Sequence, residues 1–176
     1  MKKKSTTRLI IIALLIALEI IFTRFLSINT PILRIGFGFL PVSIVGILYG
    51  PLWAGASYAL GDILGMMIFP TAAYFPGFTL SAFLTGLVYG FFLHNKKVTW
   101  KRALVAASVV CIIINLGLDT LWLYILMNQG VIALIPARLL KAVIMIPVQT
   151  VIITFVWERL LSKLGSLTVN SHQSER

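Results

Sequence analysis

Apolar residues run along this chain in long unbroken stretches, not in the short alternations of a half-exposed strand or amphipathic helix. A helix crosses the hydrocarbon core of a membrane with about 20 apolar residues. The first stretch, Leu9 to Ile28, has that length and follows the basic start Met1-Lys-Lys-Lys-Ser-Thr-Thr-Arg8. No small-residue cleavage site follows it, so it predicts a retained first span and not a signal peptide. The run from Ile35 to Phe69 is too long for one helix. Gly50-Pro51 divides it, because proline opens a helix but cannot continue one. This predicts a short, tilted or partly re-entrant span near 36–49 and a third near 52–69. Beyond the proline-bounded loop Pro70–Gly77, spans are predicted at about Phe78–Leu93, Ala103–Met127 and Pro136–Leu161. The expected organisation is a basic N-terminus (1–8), one six-helix membrane domain (9–163) and a polar tail (164–176).

Composition agrees. The chain is 59% hydrophobic and 11% charged, with a mean hydropathy of +0.99. A soluble domain of 176 residues could not hide that much apolar surface, and a disordered chain would need the opposite balance. The formal charge of +10 would suggest nucleic acid in a soluble protein. In a membrane chain it reports orientation instead, because loop lysines and arginines stay cytoplasmic. With six spans, Lys2, Lys3, Lys4, Arg8, Lys96, Lys97, Lys101, Arg102, Arg159, Lys163 and Arg176 all fall on one side. Five or seven spans would split them. Both termini are therefore expected in the cytoplasm.

Four cations remain: Arg24, Arg34, Arg138 and Lys141. All lie at or near the outer ends of spans, against the orientation rule. Arg24 and Lys141 divide evenly between snorkelling to headgroups and a site role. Arg34 and Arg138 suit a ligand carboxylate, which a guanidinium fork meets bidentately. Asn115, Asp119 and Trp122 recur at i, i+4 and i+7, so an α-helix puts an amide, a carboxylate and an indole on one stripe. That set suits a flat heterocycle with N–H donors, although Asp119 could equally pair with Arg138 and bind nothing. Tyr74, Phe75 and Phe78 lie on or beside the proline-stiffened loop, as a lid or as interfacial aromatics. Asp62 is expected to satisfy a neighbouring helix; Glu19 has no assigned role. Small residues four apart, including Gly46/Gly50, Gly61/Gly65, Gly86/Gly90 and Ala13/Ala17, let helix backbones approach closely.

There is no phosphate-binding loop, zinc or haem cluster, nucleophile-and-base set or ion filter in the sequence. Cys111 stands alone, which excludes an internal disulfide. No cofactor or metal is called for, and nucleic acid is not an expected partner. The pattern is that of a capture subunit that takes its energy from elsewhere.

Two segments carry a resemblance. Thr30-Pro-Ile-Leu-Arg-Ile-Gly-Phe-Gly-Phe-Leu-Pro41 through Gly50-Pro-Leu-Trp-Ala-Gly55, and Phe69-Pro-Thr-Ala-Ala-Tyr-Phe-Pro-Gly-Phe-Thr-Leu-Ser-Ala-Phe-Leu-Thr-Gly86, resemble the folate-specific S components of energy-coupling-factor (ECF) vitamin transporters. Ala13-Leu-Leu-Ile-Ala17 is similar to the A-x-x-x-A signature of their first helix. The likeness covers about residues 9–163. It implies an all-α, six-transmembrane-helix S-component fold in a bacterial cell membrane, binding a vitamin on the outer face without ATPase activity of its own. It implies docking through Ala13 and Ala17 onto a transmembrane coupling subunit (T component) joined to two cytoplasmic ATPases, with transport by reorientation of the whole component. The expected ligand is folate or a related pterin. The candidate contacts are Arg34, Phe37, Tyr74, Phe75, Phe78, Asn115, Asp119, Trp122, Arg138 and Lys141. Another anionic vitamin such as pantothenate, or a proton-coupled small-molecule transporter, stands as the alternative.

Overall fold

The computed structural model describes the backbone of residues 2–29, 34–70, 74–127 and 135–161, and the side chains of 6–27, 35–70, 74–126 and 135–159. The turn expected at Asn128–Gly130 and the polar tail from Ser162 lie outside the described residues.

Six helical rods make up the described chain. The first is α1 (Lys2–Arg24); α2 (Phe39–Tyr49), α3 (Pro51–Ile68) and α4 (Pro76–Leu93) follow. The fifth begins as α5 (Trp100–Val109), widens into a π-helical stretch (Val110–Leu118) and ends as α6 (Asp119–Met127). The last is α7 (Ile135–Val156), finishing in a π turn at Trp157–Leu161. Four rods are apolar and long enough to cross a membrane: Thr6–Arg24, Pro76–Leu93, Trp100–Leu126 and Ile135–Arg159. With 11 residues, α2 reaches about 16 Å, roughly half of a hydrocarbon core. The short second span read from the sequence is thus present.

Gly50-Pro51 divides α2 from α3 as expected. Gly50 takes φ +92°, a conformation that only glycine adopts cheaply, and Pro51 opens α3. The first helix stops earlier than its apolar run. Instead of continuing to Ile28 it ends at Arg24, and Ser27–Asn29 (β1) pairs antiparallel with Arg34–Gly36 (β2). A hydroxyl marks the stop. Ser27 Oγ donates to the Thr23 carbonyl, meeting a backbone acceptor that a further turn would have used, while Thr23 Oγ1 donates back to the Glu19 carbonyl within the last turns of α1. The hairpin is a small addition to an otherwise helical protein.

Glycines set the spacing of α2, α3 and α4. A Cβ on Gly46 would stand 3.0 Å from the Gly90 amide nitrogen, and one on Gly86 would run into the Ala54 backbone. Here the small-residue pairs do let backbones meet. Gly61 and Gly65 act otherwise: a Cβ on Gly61 would strike the Glu19 carboxylate, and one on Gly65 would lie 2.8 Å from the Arg24 guanidinium. That pair makes room for two charged side chains of α1. The core behind these contacts joins Phe39, Val42, Tyr89, Leu93, Ala106, Val110, Ile114, Met145 and Ile153. Leu14, Ile113, Val143 and Val151 point outward, as lipid-facing residues do.

Contacts between rods fix which ends lie together. Arg8 stacks on Trp53 at 4.8 Å, so α1 and α3 begin at the same end. His94 Nδ1 lies 3.1 Å from the Ile47 carbonyl, bringing the last turns of α4 and α2 to that end too. The opposite end gathers the last turns of α1, α3 and α6 with the first turns of α4 and α7.

Candidate functional site

The chemistry sits at that second end. Arg138, in the first turn of α7, is buried at 9% exposure although the surface of the bundle is apolar. Its Nη1 donates to the Asn115 carbonyl and to Thr120 Oγ1, each at 2.9 Å, and Asp119 lies within electrostatic reach. The π-helical stretch creates this arrangement. A π turn closes bonds five residues apart, as the Asp119 N–H does to the Ile114 carbonyl. The wider turn moves the register by about one residue and brings Thr120 into hydrogen-bond reach of Arg138. The i, i+4, i+7 stripe expected for an α-helix is altered in this way. Asn115, Asp119 and Trp122 stay on one rod and all are half-buried.

An aromatic wall faces these groups. Phe75, just before α4, lies 6.1 Å from Phe78 and 5.7 Å from Trp122 by ring centroid, and Trp122 Nε1 donates to Ser81 Oγ at 3.1 Å. A Cβ on Gly77 would collide with both Phe75 and Trp122, so this glycine permits the stack. Phe75, Phe78 and Trp122 are therefore brought together.

A charged chain borders the wall. The Arg24 side chain is only 2% exposed and its Nη2 lies 3.9 Å from Asp62 Oδ1. It points inward, which replaces the snorkelling alternative. Thr79 Oγ1 donates to Asp62 Oδ2 at 2.9 Å and lies 3.3 Å from the Tyr74 hydroxyl. Because the single Thr79 hydrogen goes to Asp62, the Tyr74 hydroxyl donates to Thr79. Asp62 thus ties α1, α3 and α4 together, as a residue satisfying neighbouring helices should. Glu19 is buried at 3% beneath it.

The other candidates are placed less centrally. The backbone of Arg34 opens β2, and its side chain lies outside the described part. Phe37 is exposed between β2 and α2, 6.4 Å from Phe39. Lys141 is half-buried one turn below Arg138 and within electrostatic reach of Cys111. Ala13 and Ala17 are exposed along the middle of α1, beside exposed Leu9, Ile10 and Leu14.

Sequence reading passed over Thr79, Ser81, Thr120 and Gln149. Gln149 is buried at 3%, and its Oε1 accepts from the Tyr89 hydroxyl at 2.9 Å and from the Cys111 thiol at 3.6 Å. Asn115 is legible through its i, i+4, i+7 spacing with Asp119 and Trp122, whereas Gln149 carries only the signal of an amide inside an apolar run. The hydroxyls carried no such signal.

The family model described as "ECF transporter, substrate-specific component" matches residues 7–157. The chain belongs to that family. It is a multi-pass membrane component, in keeping with the apolar rods above. A Clostridium novyi protein named folate transporter FolT is 51% identical over 155 residues, covering 88% of this chain and 90% of the relative. A Leuconostoc mesenteroides protein of the same name is 34% identical, covering 88% and 86%. A solved structure described as FolT bound with folic acid superposes with a TM-score of 0.79 at 41% identity, covering 84% of this chain and 90% of that one.

The ion pair gives a stability test. Removing one partner of a buried pair typically costs about 3–5 kcal/mol, while replacing both by apolar residues costs far less. Asp62→Ala should lower the thermal stability of the detergent-solubilised protein strongly, and Arg24→Met with Asp62→Leu should recover much of the loss. Equal melting of Asp62→Ala and the unmodified chain would show that the pair is not holding α1 to α3.

Proposed function

We propose that this chain is the high-affinity folate-binding S component of an ECF uptake transporter, with the site at the Arg138 end of the bundle. The observation that carries the reading is the 51% identity, over nearly the whole length, to a relative named folate transporter. The site chemistry supports it. Folate has a flat pterin with N–H donors and a glutamate with two carboxylates. Trp122, Phe75 and Phe78 offer the ring a stacking wall, and Asp119 offers an acceptor. Arg138 and Arg34, with Lys141, offer cations to the carboxylates. Tyr74 and Phe37, exposed at the same end, border the entrance.

The end bearing Arg8, Lys96, Lys97, Lys101 and Arg102 faces the cytoplasm on this reading, as do both termini, so the ligand site opens outward. Trp53 and Trp100 are also exposed at that end, where tryptophan suits the headgroup level. The engine is external: a T component and two ATPase subunits, docked on the small exposed face at Ala13 and Ala17. Reorientation of the bundle then delivers the bound vitamin.

Two results test the proposal. Calorimetry with purified protein should give saturable folate binding below micromolar, and Arg138→Ala should weaken it about 30-fold or more, the cost of stranding a carboxylate without its partner. Absence of saturable binding in the unmodified chain ends the folate reading. Ala17→Trp should leave folate binding intact and abolish uptake in cells that supply the partner subunits; normal uptake would remove the docking role from this face.

A further inference from the structure

The wide turn of the fifth rod frees an acceptor where a charge needs one. In an α-helix the Asp119 N–H would bond the Asn115 carbonyl; here it bonds Ile114, which relieves the Asn115 carbonyl of its α-helical partner. That carbonyl and the Thr120 hydroxyl, five residues further on, both accept from Arg138 Nη1 across the bundle at 2.9 Å. Thr120 is half-buried, next to Asp119 and two residues before Trp122, so it stands at the ligand end and not in the core beneath it. Isolated π turns of this kind recur at functional sites.

An Nη1 group carries two hydrogens, and both lie in the guanidinium plane. Two acceptors at fixed points on one rod therefore set that plane. A carboxylate that meets the fork bidentately is then met along its Nε–Nη2 edge. Both acceptors are neutral, so they orient the cation without cancelling its charge. Asp119, within electrostatic reach of the same guanidinium, is the acid with which a ligand carboxylate competes. The two acceptors differ in kind. The Asn115 carbonyl is held by the backbone of the wide turn, whereas the Thr120 oxygen belongs to a side chain and can be removed without altering the rod.

We propose that Thr120 is a positioning residue for the acidic end of the ligand: by holding Arg138 Nη1 it sets the guanidinium fork against a glutamate carboxylate. This rests on the folate reading above. Recognition of the ligand is thereby divided in two. The aromatic wall receives the pterin without help from Thr120. Arg138 receives the acidic tail, and does so at full strength only while Thr120 holds it. A ligand that keeps the pterin but lacks the charged tail gains nothing from the Thr120 hydroxyl.

The test uses the full chain in detergent and reads affinity by calorimetry. Two ligands are compared: folic acid, and the amide of pteroic acid, which ends in an uncharged carboxamide where folic acid carries its glutamate. Thr120→Val, alike in shape but without the hydroxyl, should weaken folic acid about tenfold, the weight of one charge-assisted hydrogen bond. The amide should bind this variant as it binds the unmodified chain, which a general structural defect would not allow. Thr120→Ser, which keeps the hydroxyl, should restore the affinity for folic acid. In a chain already carrying Arg138→Ala, Thr120→Val should change folic acid affinity by less than about twofold, because residues that act through one contact do not add. Unchanged folic acid affinity in Thr120→Val, an equal loss for both ligands, a serine variant as weak as the valine one, or an equal loss with and without Arg138 overturns the inference. If the unmodified chain does not bind the amide, the Arg138→Ala comparison decides; if Thr120→Val yields no folded protein, Thr120→Ala carries the same comparisons. Failure of the unmodified chain to bind folic acid would instead sink the folate reading itself, and this assignment with it.

Discussion

A guanidinium group inside an apolar bundle must be enclosed by protein, because hydrocarbon offers it no partner. Among the described residues two are enclosed, Arg24 and Arg138, at the same end. Much of the surrounding architecture meets that demand. Gly65 leaves the space that Arg24 occupies, and Asp62 supplies its counter-charge. The π-helical stretch of the fifth rod turns the Asn115 carbonyl and the Thr120 hydroxyl toward Arg138. Without the glycines α1 could not lie against α3 with its charges inward. Without the wide turn Arg138 would face a different set of groups.

Much of this is legible in the sequence, for physical reasons. Hydrocarbon thickness imposes span length, so the apolar runs mark out the rods directly. Proline and glycine chemistry places the α2–α3 break at Gly50-Pro51. Enclosed cations stand out because charge is costly within a membrane, and that cost alone singles out Arg138. The π-helical register is hidden, since an extra residue per turn reflects packing between rods and leaves no local signature. The end of α1 at Arg24 is hidden too: it goes with Ser27 meeting the Thr23 carbonyl, not with a change in apolarity. Gly61 and Gly65 show the right spacing but suggest the wrong purpose, because a sequence cannot say whether a backbone or a side chain fills the space a glycine leaves. Gln149 was readable and passed over.

Membership of the ECF substrate-specific component family explains why so much binding chemistry coexists with no energy-converting motif in the sequence. A subunit that only captures its cargo needs a rigid, enclosed site and a face for its partners. The aromatic wall and buried cations occupy one end, while Ala13 and Ala17 lie exposed along the middle of α1. On the proposed reading, that separation lets the bundle move as one body without disturbing the ligand.

The central claim is that folate binds against Trp122 at the Arg138 end. Of the four tryptophans, Trp53, Trp100 and Trp157 lie toward the opposite ends of their rods, and Trp122 alone stands at the proposed site. Tryptophan fluorescence titrated with folic acid in the unmodified chain and in Trp122→Phe tests this directly. The account predicts saturable quenching below micromolar that loses most of its amplitude in Trp122→Phe. Full quenching in Trp122→Phe, or none in the unmodified chain, would contradict it.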